Sequence, residues 1–244
     1  FGLNNYDNDS NHWAAFNLNS YIIHDKDLNI IDTIIMDTIP QNNDYFEYKY
    51  NNKVYSISHN FENNTNIVYF SSYDLKTGVF ISKQIPTPFN IYRCSETFTK
   101  NKEFAVLVSK RGTEILTLAD MVDPTLMIID TLGNLVRSNN LSGVFRDYQL
   151  VEIGGYFILG NRALYQPANI VLVDKNTLQV EDSIDGDFFV AKAINDSILL
   201  GVRGSGFVDI NIWNINSKER KTFKFVADTV TGAFADKFRI EYIN

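Results

Sequence analysis

The sequence predicts an all-β fold made of repeated units of four short antiparallel strands. Hairpins recur in which a run of apolar, largely β-branched residues meets a polar turn opened by Asp or Asn, and no segment shows a sustained helical pattern. The turn-opening residues are 49, 56, 44 and 40 residues apart, at Asp25, Asp74, Asp130, Asp174 and Asn214. Four strands in about 40 to 50 residues is the period of a β-propeller blade, so the sequence predicts a β-propeller.

The clearest hairpin is Ile170–Ile184, IVLVDKNTLQVEDSI. Its turn is opened by Asp174, whose carboxylate can accept hydrogen bonds from backbone amides ahead of it. The second strand is expected to alternate. One face then holds Leu178, Val180 and Ile184, and the other holds Gln179, Glu181 and Ser183.

The chain opens with residues 1–10, FGLNNYDNDS, which are polar and unpatterned and are expected to form a flexible lead-in. A single domain is expected over residues 11–244. Its repeated units, in order, are predicted over residues 12–34, 45–85, 91–138, 145–184 and 188–225. Asn51-Asn52 and Gly154-Gly155 supply hairpin turns inside these units.

One repeat is longer than the others because of the segment Lys110–Pro124. Its sequence fits a short helix or an extended excursion. We expect this segment to be a surface insertion outside the core, since surface loops tolerate added length better than packed strands do.

The two ends of the chain are predicted to complete one blade together. The hairpin Tyr21–Ile34 has one short segment before it, whereas the tail has strand-like sequence and no final hairpin. We expect Thr231–Ile243 to pair beside His12–Ile34, because this removes exposed sheet edges. The count is then five blades of four strands, with six blades or a β-sandwich as alternatives.

The hairpins VLVDKNTLQVEDSI and SSYDLKTGVFISKQI resemble the outer hairpins of bacterial β-propellers of the YVTN or quinoprotein-like and six-bladed lipoprotein types. The resemblance covers most of the chain, although neither a YVTN tetrapeptide nor a WD dipeptide is present. It implies a ring of blades closed by pairing of the chain ends, with ligands bound at the central channel or the top face.

Composition excludes several classes of function. A formal charge of −7 argues against nucleic acid or an anionic membrane as the main partner. Cys94 is the only cysteine, so an intrachain disulfide and a Cys-based zinc site are excluded, and the three histidines lack metal-ligand spacing. We expect no cofactor, no metal and no membrane span. Because the chain begins with Phe1, we expect a processed or trimmed segment of a longer precursor. We expect the protein to be exported and located in the cell envelope, periplasmic or surface-exposed.

A candidate binding site comes from polar residues at the starts of the predicted innermost strands, which a propeller brings to one end of its channel. The candidate ligand-binding residues are Arg93, Glu96, Arg146, Asp147, Asp187 and Asp236. Mixed charges of this kind suit a polar small molecule, a sugar or a peptide segment. The favoured function is a non-enzymatic binding or scaffold propeller in a bacterial envelope or surface complex.

The alternative function is a five-bladed glycoside hydrolase or a carbohydrate-binding propeller. A hydrolase needs two carboxyl groups about 5 to 9.5 Å apart. The candidate carboxylates are Asp44, Asp147, Asp187 and Asp236, and no spacing in the sequence marks a pair among them. No catalytic residue is therefore assigned.

Overall fold

The structure is a computed structural model that describes residues 3–5, 12–17, 20–25, 27, 29–35, 48–60, 67–87, 93–110, 120–146, 150–161, 169–185, 189–204 and 208–225. Every regular element in these ranges is a β-strand, so the all-β prediction is confirmed. Within the same ranges, no helix long and apolar enough to cross a membrane occurs.

The strands follow the predicted repeat. The first eight are β1 (Leu3–Asn5), β2 (His12–Asn17), β3 (Ser20–Asp25), β4 (Ile30–Ile35), β5 (Tyr48–Tyr50), β6 (Lys53–Asn60), β7 (Ile67–Asp74) and β8 (Phe80–Ile85). The next nine are β9 (Arg93–Phe98), β10 (Phe104–Lys110), β11 (Asp120–Ile129), β12 (Leu135–Asn140), β13 (Val144–Arg146), β14 (Val151–Ile153), β15 (Tyr156–Asn161), β16 (Asn169–Asp174) and β17 (Val180–Asp185). The last four are β18 (Phe189–Ala193), β19 (Ile198–Gly204), β20 (Val208–Asn214) and β21 (Arg220–Phe225).

Contacts divide the chain into two compact units. Unit 1 comprises residues 1–110 and 127–137, and unit 2 comprises residues 111–126 and 138–244. In unit 1, β1 to β4 and β5 to β8 form two four-stranded antiparallel sheets in chain order. In unit 2, β18 to β21 form a third sheet of this kind, and β14 to β17 pair in the same order within a larger sheet. This up-and-down order of four strands is the unit that the sequence predicts.

Each predicted turn-opening residue forms the turn expected of it. In all five, one side-chain oxygen accepts two backbone N–H groups two to four residues ahead, at 2.7–3.1 Å. The residues are Asp25, Asp74, Asp130, Asp174 and Asn214. The amide oxygen of Asn214 accepts these bonds as the four carboxylates do, so the turn requires a hydrogen-bond acceptor at this position and not a negative charge.

A second hydrogen bond ties this turn to the turn between the first two strands of the same sheet. The residue after the turn-opener donates its backbone N–H, as in Leu75 to the Asn52 carbonyl at 2.7 Å and Lys175 to the Gly155 carbonyl at 2.9 Å. Ile215 donates to the Ser197 carbonyl at 2.8 Å in the same way. These bonds satisfy turn backbone groups and fix the two hairpins of a sheet against each other.

Each unit has its own apolar core. In unit 1, Tyr55, Phe70, Phe104, Val106 and Met127 belong to one buried cluster. In unit 2, the buried cluster contains Ile153, Ile158, Ile170, Leu172, Ile215, Leu199 and Trp213. Full burial of one such side chain contributes about 1.5–3 kcal/mol, so these clusters dominate the stability of their units.

The first sheet contains a strand that the sequence pattern does not indicate. β1 lies inside the expected lead-in and pairs with β2, from Leu3 opposite Ala15 to Asn5 opposite Trp13. The sheet therefore has four strands without the tail, and the strand deficit expected at the amino-terminal end is wrong. Residues 226–244 lie outside the described part, so the pairing of Thr231–Ile243, like the number of blades, stays a prediction.

The expected alternation after Asp174 is also wrong. Leu178 is 1% exposed and lies in the turn with φ 56°, whereas Val180 opens β17 and is 50% exposed. Val173 pairs with Val180, but the next pair joins Leu172 to Asp182, so Glu181 is an extra residue. Such a bulge shifts every later side chain to the other face, which breaks the predicted pattern.

The segment Lys110–Pro124 is not wholly peripheral. β11 begins at Asp120 and not near Leu126 as the hairpin pattern suggests, and Met121 is fully buried. Asp120–Val122 pairs with β13, and the Asp123 carboxylate accepts the backbone N–H of Gly143 at 2.8 Å. The end of this segment therefore belongs to the core of unit 2, while residues 111–119 lie outside the described part.

Candidate functional site

The predicted channel-end residues are only partly within the described chain. Arg93 is the first described residue of β9 and pairs with Ser109. Arg146 is the last residue of β13, opposite Asp120, and does not open an inner strand. Asp147, Asp187 and Asp236, together with Asp44, lie outside the described residues. Their convergence on one ligand stays a prediction.

Glu96 lies in the middle of β9, opposite Val106 of the unit 1 core. Its side chain is half-buried, and its carbonyl oxygen accepts a hydrogen bond from the Tyr48 hydroxyl at 3.2 Å. Positions 93 and 96 differ in parity, and three residues of strand span about 10 Å. The two residues are thus separated along the strand, and their binding of one ligand stays a prediction.

An aromatic cluster surrounds this part of β9. The rings of Tyr48, Tyr50 and Tyr55 lie 6.0–6.3 Å from the ring of Phe98, which is itself 4.8 Å from the ring of Phe104. Burial, with smaller contributions from Tyr50 and Asp74, raises the pKa of Tyr55, so its phenol is neutral at physiological pH. These contacts join β5, β6 and β9 and give Tyr48 and Tyr50 a role in packing.

The most distinctive surface in unit 1 is a set of exposed apolar side chains that we call the apolar rim. Its members are Val79 (53% exposed), Ile81 (47%), Leu132 (68%), Leu135 (38%) and Val136 (50%). The first two lie at β8, and the others lie in or after the turn that precedes β12. Isolated exposed apolar residues are ordinary, but a contiguous group marks an interaction surface.

Two contacts make the two parts of the apolar rim neighbours. The Lys83 ammonium on β8 donates a hydrogen bond to the side-chain oxygen of Asn134 in the turn before β12. In the same turn, Gly133 packs so tightly on Phe70 of β7 that a Cβ atom would lie 2.6 Å from its Cδ1. The turn is thus held against the β7–β8 hairpin, so the two groups of exposed apolar residues lie on adjoining elements.

Cationic side chains flank the apolar rim. Lys83 lies on β8, and Arg137 on β12 forms an ion pair with Glu103 at 3.4 Å. The rim therefore combines an apolar centre with polar neighbours, which is the usual anatomy of a protein-binding surface. The apolar residues of the rim are visible in the sequence, in and next to two predicted strands. Strand alternation alone assigns such residues to a core, so the sequence does not predict their exposure.

Metal-binding geometry is not found in the described ranges, where no group of three or more His, Cys, Asp or Glu side chains could hold an ion.

Comparison with known proteins identifies a fold and not a family. No protein-family model and no curated protein sequence matches the chain. Among solved structures, it is similar to the acylaminoacyl peptidase of Pyrococcus horikoshii, with 13% identity and a TM-score of 0.52 over 85% of this chain and 36% of that chain.

Two further structures show weaker likeness. Dihydro-heme d1 dehydrogenase NirN in complex with DHE has 11% identity and a TM-score of 0.47, over 90% of this chain and 56% of that chain. The Pan2 WD40 domain of Neurospora crassa has 10% identity and a TM-score of 0.49, over 89% of this chain and 63% of that chain. The chain thus spans less than two thirds of each of these proteins, and at such identities the likeness concerns the fold. With its repeated four-stranded antiparallel sheets, the chain has an all-β fold of the β-propeller class.

Proposed function

We propose that this chain is a non-enzymatic binding or scaffold propeller that docks a protein partner on the apolar rim. The observation that supports this most directly is the exposure of five apolar side chains on adjoining edges of unit 1. Val, Ile and Leu side chains provide no acid, base or nucleophile, so their chemistry is that of a contact surface. Covering them removes apolar area from water, at about 25 cal/mol per Å².

A finer part of the proposal concerns the setting. The resemblance of the hairpins to bacterial propellers of the YVTN and lipoprotein types supports a component of a bacterial envelope or surface complex. Fractionation of the source cells tests this location with an antibody against the chain. Recovery of the protein only with cytoplasmic markers would refute the envelope part and leave the binding role standing.

The docking role is tested with charge substitutions on the apolar rim. We expect Ile81→Asp with Val136→Asp to abolish capture of the partner from source-cell extract, because a buried unpaired carboxylate is costly at an apolar contact. Gln84→Asp with Ser138→Asp is the matched control, since it adds the same two charges at exposed polar positions of β8 and β12. Circular dichroism should show both variants folded, because exposed substitutions change stability little.

Binding at the predicted channel-end residues would give a different result. If Arg93 and Arg146 bind the ligand through charge-assisted hydrogen bonds, Arg93→Ala with Arg146→Ala abolishes capture and the rim variants do not. A partner that persists on the folded rim variants would refute docking on the rim. Photo-crosslinking from position 81, with position 84 as control, gives an independent measurement of contact.

A further inference from the structure

Two edge strands of unit 2 carry opposite charge. The acidic strand is β17, with Glu181, Asp182 and Asp185, and the basic strand is β21, with Arg220, Lys221 and Lys224. The equivalent strands that follow the other turns, β4, β8 and β12, have one charged residue each. β17 and β21 therefore differ from the equivalent strands in carrying three charges of one sign each.

Both strands are accessible for pairing. In the described part of the chain, each lies at the end of its strand order, with β16 or β20 as its neighbour on one side. Residues 216–223 are all exposed, with Phe223 at 47%, and Val180, Glu181 and Ser183 are exposed on β17. An edge strand presents alternate backbone N–H and C=O groups outward, which is a template for another strand.

The charges select which strands can meet. Two copies of β21 would oppose basic residues, and two copies of β17 would oppose acidic residues, so both like-with-like pairings are unfavourable. A pairing between β17 and β21 brings opposite charges together. Charges on edge strands commonly prevent association. Here they prevent pairing of two copies of the same strand, but they do not prevent pairing of β17 with β21.

We propose that the protein self-associates by antiparallel pairing of β21 of one copy with β17 of a second copy. The six-residue strands align so that Arg220 lies opposite Asp185, Thr222 opposite Ser183, and Lys224 opposite Glu181. Within one copy Asp182 is bonded to Lys218, Glu181 to Tyr156 and Arg220 to the Asn211 side-chain oxygen. The pairing therefore gains attraction between two strands of opposite charge and a backbone hydrogen-bond ladder, while these bonds are kept. The second copy is favoured as occupant because its own edge supplies the complementary charge.

The geometry sets the strength and form of this association. Each copy offers one acidic and one basic edge, so the contact is heterologous and builds a ring or an open chain of copies. Two six-residue strands bury less than the roughly 1,200 Å² of a stable interface. The association is therefore weak and reversible, and salt reduces it, since exposed charges are screened within about 8 Å at physiological ionic strength.

Sedimentation velocity of the purified chain from about 10 to 200 µM tests the proposal. We expect species larger than the monomer at low salt, and a fall in the association constant of about tenfold or more near 0.5 M NaCl. Lys221→Glu with Lys224→Glu makes β21 acidic, and Glu181→Lys with Asp185→Lys makes β17 basic. Each double variant alone should be monomeric.

An equimolar mixture of the two double variants gives the decisive result. The first variant keeps the acidic β17 and the second keeps the basic β21, so these two unchanged edges can pair and association should return. Lys76→Glu with Lys100→Glu is the control of equal charge change at exposed turn positions and should associate as the wild type does. A wild type that is monomeric throughout, as expected if β21 instead takes an acidic segment of another protein, overturns the proposal. A mixture that stays monomeric also overturns it. Neither outcome bears on docking at the apolar rim, which lies in unit 1.

Discussion

Replacing Gly133 by alanine should destabilise unit 1 more than the same change at Gly78, although both glycines close the turn of an equivalent hairpin. Both have left-handed backbone, with φ 75° and 71°. Their neighbours differ. A Cβ atom at position 133 would lie 2.6 Å from Cδ1 and 2.9 Å from Cγ of Phe70, whereas at position 78 the nearest atom is the Tyr73 hydroxyl oxygen at 3.5 Å.

The magnitudes separate a backbone effect from a packing effect. A left-handed conformation costs an L-residue about 1–2 kcal/mol, which applies to both alanine variants. Overpacking a core costs a further 1–3 kcal/mol or so, which applies at Gly133 alone because Phe70 is 1% exposed and cannot move into solvent. We therefore expect a loss of about 1–2 kcal/mol for Gly78→Ala and about 2–5 kcal/mol for Gly133→Ala.

Urea unfolding followed by far-ultraviolet circular dichroism measures both losses. Adding Phe70→Leu to Gly133→Ala completes a double-mutant cycle. If the Cβ contact is the cause, the double variant loses less stability than the sum of the two single variants. Equal losses for the two glycine variants, or strict additivity with Phe70→Leu, would refute the packing argument.

Three further changes test other parts of the structure. The Asp174→Asn variant should keep the turn, because Asn214 forms the same turn with an amide. It should lose the part of the pH dependence of stability that Asp174 supplies, since the backbone N–H of Thr177 lowers the pKa of Asp174 more than burial raises it. This stabilisation is present above the unfolded pKa of about 4 and lost as pH falls through the lower folded pKa, so melting curves of variant and wild type should converge in acid. Lys218→Gly should raise the melting temperature by about 2–4 °C, because Lys218 has φ 58°; a lower value would mean that its bond to Asp182 outweighs backbone strain. Met121→Ala should lower the free energy of unfolding by about 2–5 kcal/mol, because Met121 is fully buried. A negligible loss would show that this segment lies outside the core.

The turns could be predicted because their chemistry is local. Asp74 and Asp174 bond to backbone amides two and three residues ahead, so the signal and its effect lie in the same short segment. The four-stranded unit follows from the same signal, since each turn of this kind precedes the last strand of a sheet.

The errors arise where distant residues decide the structure. Leu178 is buried although it lies in a turn, and Val180 is exposed next to the bulge at Glu181. Met121 belongs to a strand because β13 pairs with it, which no pattern within 110–124 reveals. The candidate site depends on convergence of residues far apart in sequence, and the described chain includes only Arg93, Glu96 and Arg146 of that set.

The repeated turns explain why the edge strands can differ in sequence. A side-chain acceptor that binds two backbone amides closes the hairpin whatever follows it, so the last strand of each sheet is positioned without help from its exposed residues. Substitutions at exposed positions usually change stability by less than about 0.5 kcal/mol. Folding therefore permits an apolar surface at β8 and β12, acids on β17 and bases on β21. Because the fold does not require these differences, the edge strands are where recognition of other molecules should be sought.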